Sequence, residues 1–180
     1  LVCAHAWAFL ARSIDKVLVD GLLPTVSPFI EMTEVAPLLP GHGTHAKDLA
    51  KTGFADWAGA AERALRDVAA NEPAIVVGLS CGALIALKLA LAHPGQVRAI
   101  GLLANSAWLA WPFPAVALEW VERLGLPDFS VPKAGADIAD PVARATHLTY
   151  SAQPVHAAIE VVRAGNELRP KLGSIRCPVF

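Results

Sequence analysis

Ala74-Ile75-Val76-Val77-Gly78-Leu79-Ser80-Cys81-Gly82-Ala83-Leu84-Ile85-Ala86-Leu87 is the stretch whose reading decides the fold. A continuous apolar run enters Gly-x-Ser-x-Gly and leaves at once into a second apolar, alanine-rich run. The first has the make-up of a strand buried on both faces, the second that of a buried helix. A serine at so sharp a strand-to-helix bend is pushed clear of the sheet, which is the context of a nucleophile elbow. Gly78 and Gly82 suit such a bend because a side chain at either place would meet neighbouring backbone. The bend also sets the Cys81 N–H at a helix N-terminus, where partial positive charge faces a developing oxyanion. Ser80 is therefore the candidate nucleophile, and Cys81 a candidate oxyanion donor through its backbone. The bland alternative is a glycine-rich turn with an idle serine. The Cys81 thiol lies one residue past the nucleophile position and reads as a small buried side chain.

Working outward, residues 74–78 form the elbow strand and 81–92 its helix, which His93-Pro94-Gly95 ends. Val97 to Ala104 is another continuous apolar strand. Upstream, Asp56 is a plausible N-cap for a helix that puts Trp57, Ala60, Ala61, Ala64, Leu65 and Val68 on one face. Glu62, Arg63, Arg66 and Asp67 take the other face. Residues 1–33 are less legible. Lys16 to Gly21 reads as a strand ending in a turn, Leu22 to Met32 as loop, and Val35 to Leu39 as a short extended segment before the loop Pro40-Gly41-His42-Gly43-Thr44. Strands alternating with helices predict an α/β fold, with a mostly parallel sheet, right-handed crossovers and helices on both faces.

After Asn105 the character changes. Trp108, Trp111, Phe113, Val116, Leu118, Trp120, Val121 and Leu124 form an aromatic-rich helical stretch broken by Pro112 and Pro114. Trp108, Trp111, Phe113 and Trp120 read equally as the lining of an acyl pocket or as core, because both are apolar. Residues 127–154 are rich in Pro, Asp and Gly, Val155 to Leu168 reads as a helix, and Arg176 to Phe180 as the start of a strand. An insertion of this kind between two core strands suits a helical cap over the elbow. The expected organisation is core over 1–105, cap over 106–172, and the beginning of the next core strand over 173–180.

Composition narrows the class. The chain has 180 residues, 54% hydrophobic and 17% charged, enough for one well-buried domain rather than a disordered segment. A net charge of −1 without a Lys/Arg cluster leaves nucleic-acid binding no electrostatic footprint. Cys3, Cys81 and Cys177 lack metal spacing and read as free thiols of a reducing compartment. Leu1 to Ala11 is apolar but short of bilayer length, so no stable membrane insertion is expected and the protein reads as cytoplasmic. No metal or cofactor site is expected, since Asp137 and Asp140 have no accompanying ligand cluster.

Leu39-Pro40-Gly41-His42-Gly43-Thr44, Asp48-Leu49, Asp56-Trp57 and Gly78-Leu79-Ser80-Cys81-Gly82 together resemble the α/β-hydrolase superfamily. Within it they look most like the bacterial carboxylesterase and monoacylglycerol lipase branch (the serine aminopeptidase-like, or hydrolase 4, group). Leu126-Pro127, Lys133, Asp137-Ile138, Asp140-Pro141, Tyr150, Pro154 and Ile175 to Val179 follow the same branch's pattern. The resemblance covers about residues 35–180. It implies that Ser80 attacks a carboxylic ester of small-molecule size and forms an acyl-enzyme. It also implies a second oxyanion amide after an early His-Gly pair. The best match in the less legible region is Val17-Leu18-Val19-Asp20-Gly21-Leu22, which makes Leu22 that donor, with Asp20 where histidine is the family's residue.

Chain order in this fold is serine, acid, histidine. The resemblance puts the acid after the strand beginning at Cys177 and the histidine further on, so neither is present in the chain, which reads as a fragment. Of the six histidines, His42 reads as turn geometry, His93 as a helix terminus, and His147 and His156 as surface or core. A catalytically incompetent truncated or pseudoenzyme form is the rival expectation from another class. An amidase, peptidase or carbon–carbon hydrolase is the enzymatic one. An exposed sheet edge beyond residue 180 would favour self-association.

Overall fold

The computed structural model describes the backbone of residues 2–5 and, with side chains, residues 35–108, 120, 124, 129–132, 140, 142 and 150–180. Three strands form one parallel sheet in the order β1 (Val2–His5), β2 (Ala74–Leu79), β3 (Val97–Leu103). β2 is the central strand of the three, and its register sets Leu79 level with His5 on one side and Leu103 on the other. Residues 178–180 extend the sheet beside β3. The Ile100 N–H donates to the Pro178 carbonyl, and the Phe180 N–H to the Ile100 carbonyl, both at 3.0 Å. The start of a strand expected after Arg176 is thus paired in parallel.

The elbow helix α3 (Cys81–Ala92) touches all three strands. It is apolar around its whole circumference, and its residues from Cys81 to Leu87 are buried, as a helix with no polar face must be. Besides the short helix α1 (Ala46–Leu49), two longer ones, α2 (Phe54–Val68) and α4 (Val155–Leu168), pack on α3 and on each other. All the described long helices therefore share one layer on one face of the sheet. Ala74 and Val76 turn toward that layer, whereas Ile75 on the opposite face is 42% exposed. Among the described residues no long helix covers that opposite face, where the sequence predicts one.

α2 shows how pattern becomes packing. Its predicted apolar face is buried from Trp57 to Leu65, with Glu62 half-buried and Arg63, Arg66 and Asp67 on the outer side. The helix starts earlier than expected, and the N-cap is Gly53 rather than Asp56. Asp56 instead sits in the first turn, where its carboxylate accepts the Gly53 N–H at 2.9 Å. An acid there also complements the helix dipole. A second carboxylate arrives from α4: Glu160 Oε2 accepts the Phe54 N–H at 2.9 Å. Two of the N–H groups that a helix start leaves unmatched are thus met by side chains, one local and one distant.

Trp57 is 1% exposed, donates its ring N–H to Thr52 Oγ1 at 3.0 Å, and meets Phe54 and His42 edge to face. Trp57→Ala empties that space, with an expected cost of about 3–5 kcal/mol. A urea titration of the variant checks this through the shift in its midpoint.

The stretch expected as cap, 106–172, contains two features that the sequence did not signal. Ser130–Pro132 (β4) and Ala152–Pro154 (β5) form a short antiparallel pair. α4 is present over the expected residues, but Ala157, Ala164 and Leu168 are buried in the same core as α2 and α3. That helix therefore packs in the same layer as α2 and α3. Residues 169–174 continue it as a 3-10 helix.

Candidate active site

The elbow is built as its residues dictate. Ser80 follows β2 directly and precedes α3, with φ 54° and ψ −115°, a backbone region that side chains rarely adopt. Strain of this kind persists only where the surroundings fix it. Here the Ser80 N–H donates to the Leu103 carbonyl at 2.8 Å, and the Ser80 carbonyl accepts the Ala83 N–H at 3.0 Å. Gly78 makes the turn possible: a Cβ there would lie 2.6 Å from the Ala83 nitrogen and closer still to the Gly82 carbonyl.

Ser80 is half-buried. Among the described residues its hydroxyl pairs with the Ser106 hydroxyl, 3.1 Å away, and with no imidazole. Cys81 opens the 12-residue helix α3, so its N–H is one of the four that have no partner within the helix. The first turn of α3 carries no acidic side chain to oppose an anion. The Cys81 side chain turns into the core, and burial pushes its thiol up to about 12, so it is an inert neutral thiol at physiological pH.

Ser106 had no signal in the sequence beyond lying in a loop after a strand. It is 7% exposed, next to a second strained residue, Ala104, at φ 44°. Ser80 and Ala104 are the two non-glycine residues with positive φ among those described, and both leave the carboxyl ends of adjacent strands. That end of an open parallel sheet is where ligands of such folds bind. Trp108 follows close by and is 65% exposed, and Trp120 is 55% exposed. Both are therefore more exposed than a core residue. Trp111 and Phe113 lie outside the described residues.

Leu22, the expected second amide donor, also lies outside the described residues, as does the 16–21 segment expected to precede it. The strand beside the elbow strand is β1, at Val2–His5. An apolar run with no turn residue at its end hid that strand from the sequence reading.

The loop Pro40 to Thr44 has a structural role. Gly41 and Gly43 take φ 74° and 73°, and the His42 N–H donates to the Leu39 carbonyl at 3.0 Å. The His42 ring is buried, with Nδ1 3.1 Å from the Pro40 carbonyl oxygen. Tyr150 clasps the loop from far along the chain, donating to the Gly41 carbonyl at 2.9 Å and accepting the Thr44 N–H at 3.1 Å. His93 caps α3 and lies 3.0 Å from Glu62 on α2.

Burial holds the His42 imidazole below its ordinary titration range, against the opposing pull of the Pro40 carbonyl. A group depressed on folding stabilises above its unfolded pKa and loses that contribution as pH falls. The unfolded imidazole gains its proton near pH 6.5, so the contribution of His42 is complete above about pH 6.5 and shrinks below it. The thermal midpoint of the native protein should therefore fall more steeply from pH 7 to pH 5 than that of His42→Gln.

The parallel sheet, the helix layer and a serine bend at the carboxyl end of the middle strand define a class of α/β protein. The chain belongs to the alpha/beta hydrolase family, whose family model matches residues 1–179. It is 30% identical over 149 residues to a thermostable monoacylglycerol lipase of Bacillus sp. (strain H-257), a match that covers 82% of this chain and 56% of that protein. The chain thus spans little more than half the length of this relative. Among solved structures it resembles one described with the metagenome-derived lipolytic enzymes LipS and LipT, with TM-score 0.80, 21% identity, and 99% of this chain and 68% of the other covered. It also resembles a monoacylglycerol lipase of Paleococcus ferrophilus, with TM-score 0.75, 14% identity, and 99% and 70% covered. At those identities the likeness is one of fold. Among the described residues no helix is long and apolar enough to cross a membrane.

Proposed function

We propose that the protein is a serine hydrolase of carboxylic esters, monoacylglycerols and short- to medium-chain esters among them, with Ser80 as nucleophile. The observation that carries this reading is the Ser80 backbone at φ 54°, wedged between the end of β2 and the first amides of α3. A bend under that strain has a reason to exist if the hydroxyl it presents is used. The named activity of the Bacillus relative supports the ester as substrate and a monoacylglycerol as its type.

In the reaction proposed, Ser80 Oγ bonds to the ester carbonyl carbon as its proton passes to a base. The carbonyl oxygen takes the negative charge, beside the Cys81 N–H and the positive end of α3. Collapse of the intermediate breaks the bond to the alkoxy oxygen, which leaves with the proton as the alcohol. Water then attacks the acyl-enzyme, releasing the acid and restoring Ser80. We assign the covering of the elbow to the segment between β3 and α4, whose tryptophans are suited to an acyl chain.

The test is exposure of the full-length protein to a fluorophosphonate, with the adduct located by peptide mass spectrometry, alongside hydrolysis of p-nitrophenyl butyrate and of a monoacylglycerol. An adduct on Ser80 and release of acid from both esters are expected. An adduct elsewhere, or none, would refute the assignment.

A further inference from the structure

We propose that Ser106 positions the Ser80 hydroxyl and donates a hydrogen bond to Ser80 Oγ while that oxygen passes its proton to the base. The inference rests on the reading of Ser80 as nucleophile and adds a second hydroxyl to its machinery. The two oxygens are 3.1 Å apart, and either can donate while both protons are present. Once Ser80 gives up its proton it can only accept. The bond then survives in one sense, with the Ser106 O–H pointing at Ser80 Oγ. While the proton is leaving and the new bond is incomplete, Ser80 Oγ carries partial negative charge, and a hydrogen bond to an oxygen bearing charge is stronger than one between neutral hydroxyls. The contact therefore strengthens on the way to the transition state, which is the kind of interaction that raises kcat rather than lowering KM. After acylation Ser80 Oγ is an ester oxygen and a poorer acceptor, and deacylation restores the need for a donor as that oxygen leaves.

Ser106 is built into this place. It is buried, and a buried hydroxyl without a partner is costly, so its orientation is tied to Ser80. Four features hold its backbone. The Ser80 N–H bonds the Leu103 carbonyl, Ala104 turns the chain at φ 44°, and Asn105 Oδ1 accepts the Ala107 N–H at 2.9 Å. From the other side α4 approaches through Gly165, where a Cβ would stand 3.2 Å from the Ala107 carbonyl oxygen and 3.6 Å from that of Ser106. A segment merely leaving a strand has no need of a strained residue, a side-chain brace and a bare helix position together.

The full-length native protein is compared with Ser106→Ala, Ser106→Thr and Ser80→Ala for fluorophosphonate labelling rate, for kcat and KM on p-nitrophenyl butyrate, and for unfolding midpoint. Ser106→Ala should label and turn over about tenfold more slowly with KM changed less than about twofold, the scale of one charge-assisted hydrogen bond. Ser106→Thr, which keeps the hydroxyl, should recover most of the loss. Native rates in Ser106→Ala would overturn the proposal, as would equal losses in the Ala and Thr variants at an unchanged unfolding midpoint. If the Ala variant does not fold, Ser106→Cys keeps the size and weakens the donor. Slower labelling of that variant supports the proposal, and a native rate overturns it. Labelling that persists in Ser80→Ala would instead refute Ser80 as nucleophile, and the role of Ser106 would fall with it.

Discussion

Ser80→Ala is expected to abolish ester hydrolysis and fluorophosphonate labelling while leaving a folded protein. Removing the serine of a serine–histidine pair costs about six orders of magnitude in kcat, because the members act as a unit. What survives is the stabilisation given by the oxyanion amides and by binding, which leaves rates far below one per cent of the native value. The fold should pay a smaller toll. Alanine keeps the φ of 54°, and Ser106 loses the partner of its buried hydroxyl, a change worth about 1–3 kcal/mol. The assay and a thermal melt, run on the same preparation, separate the two effects. Turnover within tenfold of that of the native protein, from a variant checked by mass, would remove Ser80 from the chemistry.

Gly78→Ala has the other large effect, on folding rather than chemistry. Its Cβ would enter the backbone of the elbow, 2.6 Å from the Ala83 nitrogen and against the Gly82 carbonyl. Backbone cannot swing aside as the end of a side chain can. α3 would have to back away from β2, and it is the helix that touches β1, β2 and β3 as well as α2 and α4. A destabilisation of about 5 kcal/mol or more is expected, the range reserved for disruption of a core. Since domains are stable by only about 5–15 kcal/mol, much of the variant should be insoluble. Gly95→Ala is the control: nothing lies within 4 Å of a Cβ there, and the urea midpoint should barely move. Soluble yield and midpoint of the two variants decide the matter.

The elbow was legible in sequence because its physics is local. The apolar strand, the two glycines and the apolar helix are contiguous, and each is needed by the next. The apolar face of α2 was legible for the same reason, whereas its first residue was not. Asp56 has the chemistry of a cap, but Glu160 reaches the Phe54 N–H from 106 positions away, and no local pattern reports that. Ser106 was missed on similar grounds. Its closeness to Ser80 follows from the pairing of β2 with β3, which sets the carboxyl ends of both strands side by side. The usable signal was there: the first polar residues after a strand adjoining the elbow strand are its neighbours. β1 was missed because nothing in the apolar opening of the chain punctuates its end. β4 and β5 are three residues each and contain proline, which argues against a strand when read alone.

The clasp of Tyr150 on the loop at Gly41, across 109 positions, bears on how quickly the molecule can reach its native state. Like the pairing of Val2 with Val76, it closes a long loop before any energetic return arrives. Topologies dominated by such distant partners assemble slowly, and their unpaired strands stay open to other chains meanwhile. Cooler, more dilute synthesis is therefore expected to raise the soluble yield, by giving these distant pairings time to close before strands meet other chains.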